Sequence, residues 1–287
     1  GTFHLEHKGV LSIYKTDKAA EKELSTAELA RKEGLDLDIL SADMLKRVEP
    51  GIHPEVKGAI NYTCDSHTTP HLIMEKLKKY LVTQGVNLKR NEEVIHLKKS
   101  GNTITKIITN KAGYSTDEVV ITAGSWAAKL TRTIGLTLPL QAGKGYRINV
   151  TQPTHINMPA ILSEAKVAVT PMQGFTRFGG TMEFSGVNHI IRKKRVHAIA
   201  NSASTYYKDL NIGQDAIAAA QCGLRPISPD GLPYIGRTSK ANNLTIGTGH
   251  AMMGWSLGPV TGKLIAEIIS GKKTSLDITA YHPERRF

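Results

Sequence analysis

The sequence is poor in cysteine, in aromatic residues and in long apolar runs. Only two of its 287 residues are cysteine, Cys64 and Cys222, and neither stands in a CxxC or Cys/His zinc pattern. This excludes a disulfide framework and predicts a reducing compartment, with both thiols as packing groups. No run approaches the roughly 18–20 apolar residues of a membrane-spanning helix, and the first residues form no signal-peptide core. We expect a cytoplasmic protein whose membrane contact, where it occurs, is peripheral.

Acidic residues are also scarce relative to basic ones. The chain has 25 Asp plus Glu against 37 Lys plus Arg, a net charge of +12. The basic groups at Lys76–Lys79 and Arg192–Arg195 lie far apart in the chain, and aromatic residues make up only 6%, so platforms for stacking bases are few. We therefore predict no nucleic-acid partner, and a basic surface suited to anionic lipid headgroups or acidic substrates.

Most short catalytic signatures are missing. The sequence contains no GxSxG, HExxH, P-loop, calcium-loop or GxGxxG motif. His67 and His71 have the spacing of a zinc-binding pair, but Pro70 places His67 outside the helix, so no metal site is predicted. Glu183 stands at the end of a predicted strand, where it either faces a cleft or, as is more usual, is solvated.

Helical and strand patterns alternate along the chain, as in a globular protein of two domains. Capping residues predict helices over 16–32, after Ser41, and from Thr69 to Gly85. Alternating apolar residues predict strands between Val86 and Gly124, the first of them at 86–88. The last (EVVITAG) is apolar enough to be buried on both faces. A second strand-rich block covers about 139–184.

The most informative stretch is LTIGTGHAMMGWSLGPVTGKLIAEII, residues 244–269. An apolar strand runs into Gly247, Gly249 and Gly254, and a helix is predicted from about Pro259. Such a turn presents backbone amides and the positive end of a helix at the carboxyl edge of a strand, which suits an anion or an electron-rich ring. On spacing alone, a tight packing turn fits these glycines equally well.

A second candidate feature is an arginine held in a rigid frame. Arg225 lies in Gly223–Pro226, shortly before the segment PDGLPYIG at 229–236. An arginine so placed can bind a carboxylate through two parallel hydrogen bonds. The alternative is a surface arginine beside a turn, and the nearby glycine-rich stretch favours the binding role.

Taken in order, these segments resemble the FAD-dependent amino-acid oxidoreductases of the D-amino-acid oxidase superfamily. The resemblance is nearest to the bacterial D-amino-acid dehydrogenase small subunit and glycine oxidase, and it covers nearly the whole chain. The segments that carry it are HKGVLSIYKT, DSHTTPHLIMEKLKKYLVTQGV, NEEVIHL, VVITAGSWAAKL, GKGYRI, FGGTMEF, GLRPISPDGLPYIG and GTGHAMMGWSLGPVTGKLIAEIISG. The last two are specific when they occur together in this order.

The resemblance implies an α+β protein in which an α/β FAD-binding domain, incomplete here, is interleaved with a mixed β-sheet substrate domain. Residues 1–57 and 139–221 are predicted for the substrate domain, and 58–138 and 222–287 for the FAD-binding domain. In the family, about 100 further N-terminal residues supply a first strand and a GxGxxG turn that holds the FAD pyrophosphate. Because this chain begins without Met and lacks that motif, we expect a piece of a longer protein that binds FAD weakly by itself.

Site residues are carried over from the family position by position. Val94 matches the residue whose backbone meets the adenine, and Ala123, Gly124 and Trp126 match a strand end near the cofactor. The segment expected to face the isoalloxazine ring comprises Gly249, His250, Ala251, Met252, Met253, Gly254 and Trp255. Arg225 matches the arginine that binds the substrate carboxylate. Glycine oxidase has a further arginine at the position of Met252, so this chain is closer to the dehydrogenase branch. Possible pocket residues in the substrate domain are Tyr146, Met172 and Tyr207.

The implied reaction is hydride transfer from the α-carbon of a D-amino acid to flavin N5. The resulting imino acid hydrolyses to a keto acid and ammonia, and positioning is the protein's main contribution. Glycine, sarcosine, proline or a 2-hydroxy acid are alternative substrates, and a non-catalytic fragment or basic binding module is an alternative of another class. The electron acceptor is either oxygen or a quinone-linked chain, and the latter would favour peripheral contact with a bacterial inner membrane.

Overall fold

The computed structural model describes residues 4–287 of the chain. Seven α-helices lie within them: α1 (Asp17–Lys32), α2 (Ala42–Val48), α3 (Pro70–Thr83), α4 (Ala127–Thr131), α5 (Lys193–Ser204), α6 (Gln214–Ala218) and α7 (Gly254–Ile269). The same residues form sixteen strands: β1 (Leu5–Glu6), β2 (Val10–Tyr14), β3 (Asp38–Ser41), β4 (Gly58–Tyr62), β5 (His67–Thr68), β6 (Val94–Ser100), β7 (Thr103–Thr109), β8 (Gly113–Ser115), β9 (Val119–Ile121), β10 (Gln141–Val150), β11 (Ala160–Leu162), β12 (Val167–Met172), β13 (Phe175–Phe184), β14 (Gln221–Ile227), β15 (Tyr234–Thr238) and β16 (Ala241–Thr248).

Of the described residues, 4–87, 145–181 and 190–222 form the first compact unit. Its main feature is the larger part of an eight-stranded mixed sheet in the order β14-β10-β13-β12-β11-β2-β4-β3. Residues 141–144 of β10, 182–184 of β13 and 223–227 of β14 belong to the second unit. The pair β11–β2 is parallel, whereas β2–β4, β3–β4, β11–β12 and β12–β13 are antiparallel. Buried side chains of β2 and β12 and of helix α5 form its largest hydrophobic cluster.

Helix starts in the first unit follow the capping residues. The Thr16 side chain accepts a hydrogen bond from the Ala19 amide, and Ser41 caps α2 in the same way. Thr69 precedes α3 as expected but makes no capping bond. Its hydroxyl instead lies 3.1 Å from His4 Nδ1 and accepts a bond from the Gln173 amide, so this threonine ties three segments together.

The second compact unit consists of residues 88–144, 182–189 and 223–287. A three-stranded sheet has the order β15-β16-β9, with β16 and β9 parallel, and β6–β8 form an antiparallel meander. Asn243, buried in β16, accepts a bond from the Ile104 amide and donates to the carbonyls of Ile104 and Asp117. These bonds attach the meander to the sheet.

The predicted fold class, a mixture of helices and mixed sheets, is confirmed. Several local predictions were wrong. Residues 86–88 form no strand, because the chain after α3 turns back with the Val86 amide bonded to the Leu81 carbonyl. Helix α7 begins at Gly254, and Pro259 lies inside it, where a proline gives up one backbone hydrogen bond. Cys64 is exposed and packs into no core.

The two compact units divide the chain at other positions than the predicted domains. Residues 58–87 belong to the first unit, since β4 pairs with β2 and β3 there. Across residues 4–287, no helix combines the length and apolar character needed to cross a bilayer. Within the same span, His, Cys, Asp and Glu side chains form no group of three that could hold a metal ion.

Candidate functional site

Two groups of predicted cofactor residues meet at one edge of the second unit. Strands β9 and β16 run parallel with Ile121 opposite Ile246, so their carboxyl ends lie side by side. Ala123 and Gly124 follow one strand, and Gly249 follows the other. The Thr248 hydroxyl donates to the Gly124 carbonyl at 3.2 Å. Ligands of α/β sheets bind at this kind of edge.

A cavity of about 590 Å³ lies beside β6 and β9. Predicted residues Val94, Ala123 and Trp126 line it, together with apolar side chains such as Leu97 and Ile121. Its rim carries the surface ion pair of Lys129 and Glu93, whose charged atoms are 3.6 Å apart. Clefts of this size with apolar walls are typical of cofactor sites.

Ser125 stands between Gly124 and Trp126, two of the three predicted residues that follow β9. It is 7% exposed, and its buried hydroxyl has no hydrogen-bond partner among the described residues. A buried hydroxyl without a partner is costly, so a polar ligand group that reaches it would gain affinity.

The glycine-rich turn after β16 is tight, and its backbone enters the left-handed region twice. Gly249 has φ +87°, and a Cβ there would stand 3.0 Å from Tyr234 Cδ2. Ala251 also has positive φ, at +47°. Helix α7 follows at once, and its N-cap residue Met253 makes no side-chain capping bond. The start of a helix carries partial positive charge, which suits an anionic or electron-rich ligand group.

The side chains of this turn differ in exposure. Met252 is 69% exposed, and Met253 and Trp255 are about half exposed, which is unusual for large apolar groups. His250 is partly buried, and its Nε2 lies 2.8 Å from the Thr261 hydroxyl. Because that hydroxyl donates to the Leu257 carbonyl, Nε2 carries the proton of a neutral ring. Burial lowers the pKa of His250 and keeps the ring neutral.

Arg225 lies on β14, directly beside the glycine-rich turn. The Ala251 amide donates to the Pro226 carbonyl at 2.9 Å, and Ile227 forms a β-bridge with His250. The arginine is partly buried, with Nη1 4.0 Å from the sulfur of Met182. Burial lowers the pKa of the Arg225 guanidinium, although arginine remains charged at neutral pH. A carboxylate would meet little competition from water at this position.

The three predicted pocket residues of the substrate domain all fall in the first unit. Tyr146 and Tyr207 are each 2% exposed and belong to its main hydrophobic cluster, and Met172 ends β12. Tyr207 also lines a cavity of about 550 Å³ among loops around Pro50 and His155. Burial, with the Glu49 carboxylate nearby, raises the pKa of Tyr207. Their part in a substrate pocket stays a prediction.

Sequence reasoning missed several residues of the second unit. Met182 sits beside Arg225, and a Cβ on Gly143 would come within 2.4 Å of the Met182 sulfur. Met182 lies in the segment FGGTMEF, one of those that carry the family resemblance, and this was the signal that could have identified it. The expectation of a solvated Glu183 was wrong. Its side chain is 5% exposed and lies 3.5 Å from Lys144 Nζ. Buried and half-buried positions alternate along β13 as far as Gly180, and the positive φ of Thr181, +73°, shifts this alternation before Glu183.

Comparisons with known proteins agree with this geometry. The model of the DAO family, FAD dependent oxidoreductase, matches residues 1–268. D-amino acid dehydrogenase 1 of Mesorhizobium japonicum is 30% identical over 292 residues, covering 99% of this chain and 69% of that protein. D-amino acid dehydrogenase of Granulibacter bethesdensis is 28% identical over 276 residues, covering 94% of this chain and 65% of that protein. The crystal structure of glycine oxidase from Geobacillus kaustophilus superimposes with a TM-score of 0.90 at 22% identity, over 99% of this chain and 76% of that one.

The chain therefore belongs to the DAO family of FAD-dependent oxidoreductases. It spans about two thirds of the length of the curated relatives it matches. The residues present fit parts of FAD: an apolar cavity suits a ring system, the Ser125 hydroxyl has no partner within residues 4–287, and the N-cap residue of α7 makes no side-chain capping bond. The sequence offers no GxGxxG cradle for the pyrophosphate.

Proposed function

We propose that this chain takes part in the FAD-dependent oxidation of D-amino acids at the α-carbon. The observation that carries the proposal is the backbone link from Pro226 and Ile227, directly after Arg225, to the glycine-rich turn before α7. It joins a carboxylate-binding side chain to a turn that suits an electron-rich ring. The relatives named D-amino acid dehydrogenase support the same substrate class.

Arg225 would bind the substrate α-carboxylate through its planar guanidinium. Val94, Ala123 and Trp126 would hold the cofactor against the cavity wall, with Ser125 as a hydrogen-bond donor. The first turn of α7 would stabilise negative charge on the bound ring system. These groups orient the reactants, which is the largest contribution a protein makes to such a reaction.

When bound, FAD supplies the acceptor for the hydride that leaves the substrate α-carbon. The amine must arrive neutral for its nitrogen lone pair to assist that departure. The imino acid that forms then takes up water and releases a keto acid and ammonia.

A substrate panel tests the proposal. The protein, supplied with FAD and a redox dye, is incubated with D-alanine, L-alanine, glycine, sarcosine, L-proline and a 2-hydroxy acid. Reduction of the dye reports turnover of every compound, and keto acid and ammonia are assayed as the products of the primary amino acids. We expect products from D-alanine and none from L-alanine. Products from glycine, sarcosine or proline alone would place the chain with amine oxidases instead. A lack of turnover with every compound, with FAD bound, would favour a non-catalytic role.

The electron acceptor and any membrane contact are separate parts of the proposal. A quinone-linked dehydrogenase working at a bacterial inner membrane would use the +12 net charge to bind anionic lipid. Sedimentation with anionic and with neutral vesicles at low salt tests this, and binding to neither would refute it. Comparing oxygen uptake with reduction of a soluble quinone identifies the acceptor.

A further inference from the structure

A buried ion pair in the second unit has no part in the proposed reaction. Lys144, on β10, and Glu183, on β13, are 1% and 5% exposed, and their charged atoms are 3.5 Å apart. Forming a buried ion pair requires both charges to be removed from water, and this desolvation penalty is larger than that of a surface ion pair. Such a pair is retained most readily where it fixes one arrangement of the chain. The other contacts of Lys144 therefore show which segment the pair holds in place.

Lys144 also holds a turn that follows β13. Its Nζ donates to Asn188 Oδ1 at 2.5 Å, and Asn188 Nδ2 donates to the Ser185 carbonyl at 2.7 Å. Together these bonds fix both ends of the amide. Gly186, with φ +78°, allows the chain to turn between them. The segment 185–188 is therefore anchored to the buried pair through one side chain.

The next residue brings this turn to the cofactor cavity. The His189 ring stacks on Trp126, with ring centroids 6.0 Å apart and planes inclined by 22°. Trp126 lines the cavity and is 45% exposed. All five residues, from Lys144 to Trp126, belong to the same compact unit.

We propose that Lys144 and Glu183 are positioning residues: through Asn188 they hold His189 on Trp126 and so fix that wall of the cavity. The consequence for cofactor affinity rests on the proposed function, whereas the placement of Trp126 does not. A pair that served only general stability would leave the Trp126 environment unchanged in the folded protein.

The fluorescence of Trp126 tests the placement without cofactor. In a Trp255→Phe background, Trp126 is the single tryptophan. His189→Ala removes the stack, Asn188→Ala removes the anchor with both buried charges kept, and Lys144→Met with Glu183→Leu replaces the pair by apolar side chains. Because the stack covers one face of the ring, each change is expected to raise the acrylamide quenching constant about twofold. Glu118→Gln, which breaks the Arg237 pair elsewhere in this unit, is the control.

The outcomes separate this proposal from that of the FAD site. Quenching that rises for His189→Ala but stays at the control value for Asn188→Ala and for the double variant would overturn the positioning role. FAD titration, carried out with Trp255 restored in the parent and in each variant, then measures the consequence: with the positioning role, affinity falls about three- to tenfold in all three variants, the size of one lost aromatic contact. If the parent protein binds no FAD, the proposed cofactor site is refuted. The positioning role is then judged by the fluorescence result alone, because that measurement is made without cofactor.

Discussion

Replacing Arg225 by methionine tests the substrate-binding role in the most specific way. Methionine has a similar length and apolar stem but cannot donate hydrogen bonds. The guanidinium lies in a partly buried position beside Met182, where water competes little with a carboxylate for its hydrogen bonds. A bidentate pair with a carboxylate provides two charge-assisted hydrogen bonds, of about 1.5–3 kcal/mol each. After partial compensation by water, we expect a loss of about 3–4 kcal/mol in kcat/KM, or about 10²- to 10³-fold.

The assay is the anaerobic rate of flavin reduction over a range of D-alanine concentrations. The loss should appear mainly in KM, because a carboxylate is bound equally in the ground state and the transition state. Arg225→Lys keeps the charge but not the planar fork, and should recover about tenfold of the loss. Arg237→Met is the control, since that arginine pairs with Glu118 in the same unit. An Arg225→Met protein that folds normally and reacts within threefold of the parent would refute the role.

Three further predictions concern the structure around the site. Gly249→Ala should lower the melting temperature and weaken FAD binding, because the new Cβ adds about 1–2 kcal/mol of left-handed strain and a close contact with Tyr234. Gly271→Ala, at φ +66° with open space around it, should lower the melting temperature through the strain alone. An equal fall in melting temperature for the two variants would contradict the Tyr234 contact. Asn243→Ala loses three hydrogen bonds and should cost about 3 kcal/mol in urea unfolding, so a cost below 1 kcal/mol would be inconsistent with them. Burial lowers the pKa of His250, so the stability that this residue contributes is present above its unfolded-state pKa of about 6.5 and is lost as pH falls toward its folded-state pKa. His250→Gln should therefore flatten the decline in unfolding free energy between pH 7.5 and 5. Identical slopes for parent and variant would argue against this role of His250.

Local signals predicted much of the secondary structure. Thr16 and Ser41 each satisfy an amide that the helix start leaves unpaired, and such bonds depend only on a few neighbouring residues. The start of α7 was predicted near Pro259, because proline is favoured in the first turn of a helix and glycine is not, whereas the helix begins at Gly254. The strand at 86–88 failed because no neighbouring strand pairs with it, which a sequence pattern does not reveal.

The candidate site was predictable where its residues are consecutive. The glycine-rich turn at 249–255 and the segment at 123–126 both fall at strand ends, and the parallel pairing of β9 and β16 brings them together. The contacts of Arg225 with Met182, and of Trp126 with His189, join residues 43 and 63 positions apart. Such contacts depend on the register of non-adjacent strands, so they required the structure. The burial of Glu183 has the same origin.

The central claim is that this chain binds FAD and that a D-amino acid reduces it. The most direct measurement is an anaerobic absorbance spectrum of the protein reconstituted with FAD, recorded before and after D-alanine is added. We expect the spectrum of a bound oxidised flavin, and loss of its visible absorbance when D-alanine is present. A protein that retains no flavin, or a bound flavin that stays oxidised with D-alanine and with other D-amino acids, would contradict the claim.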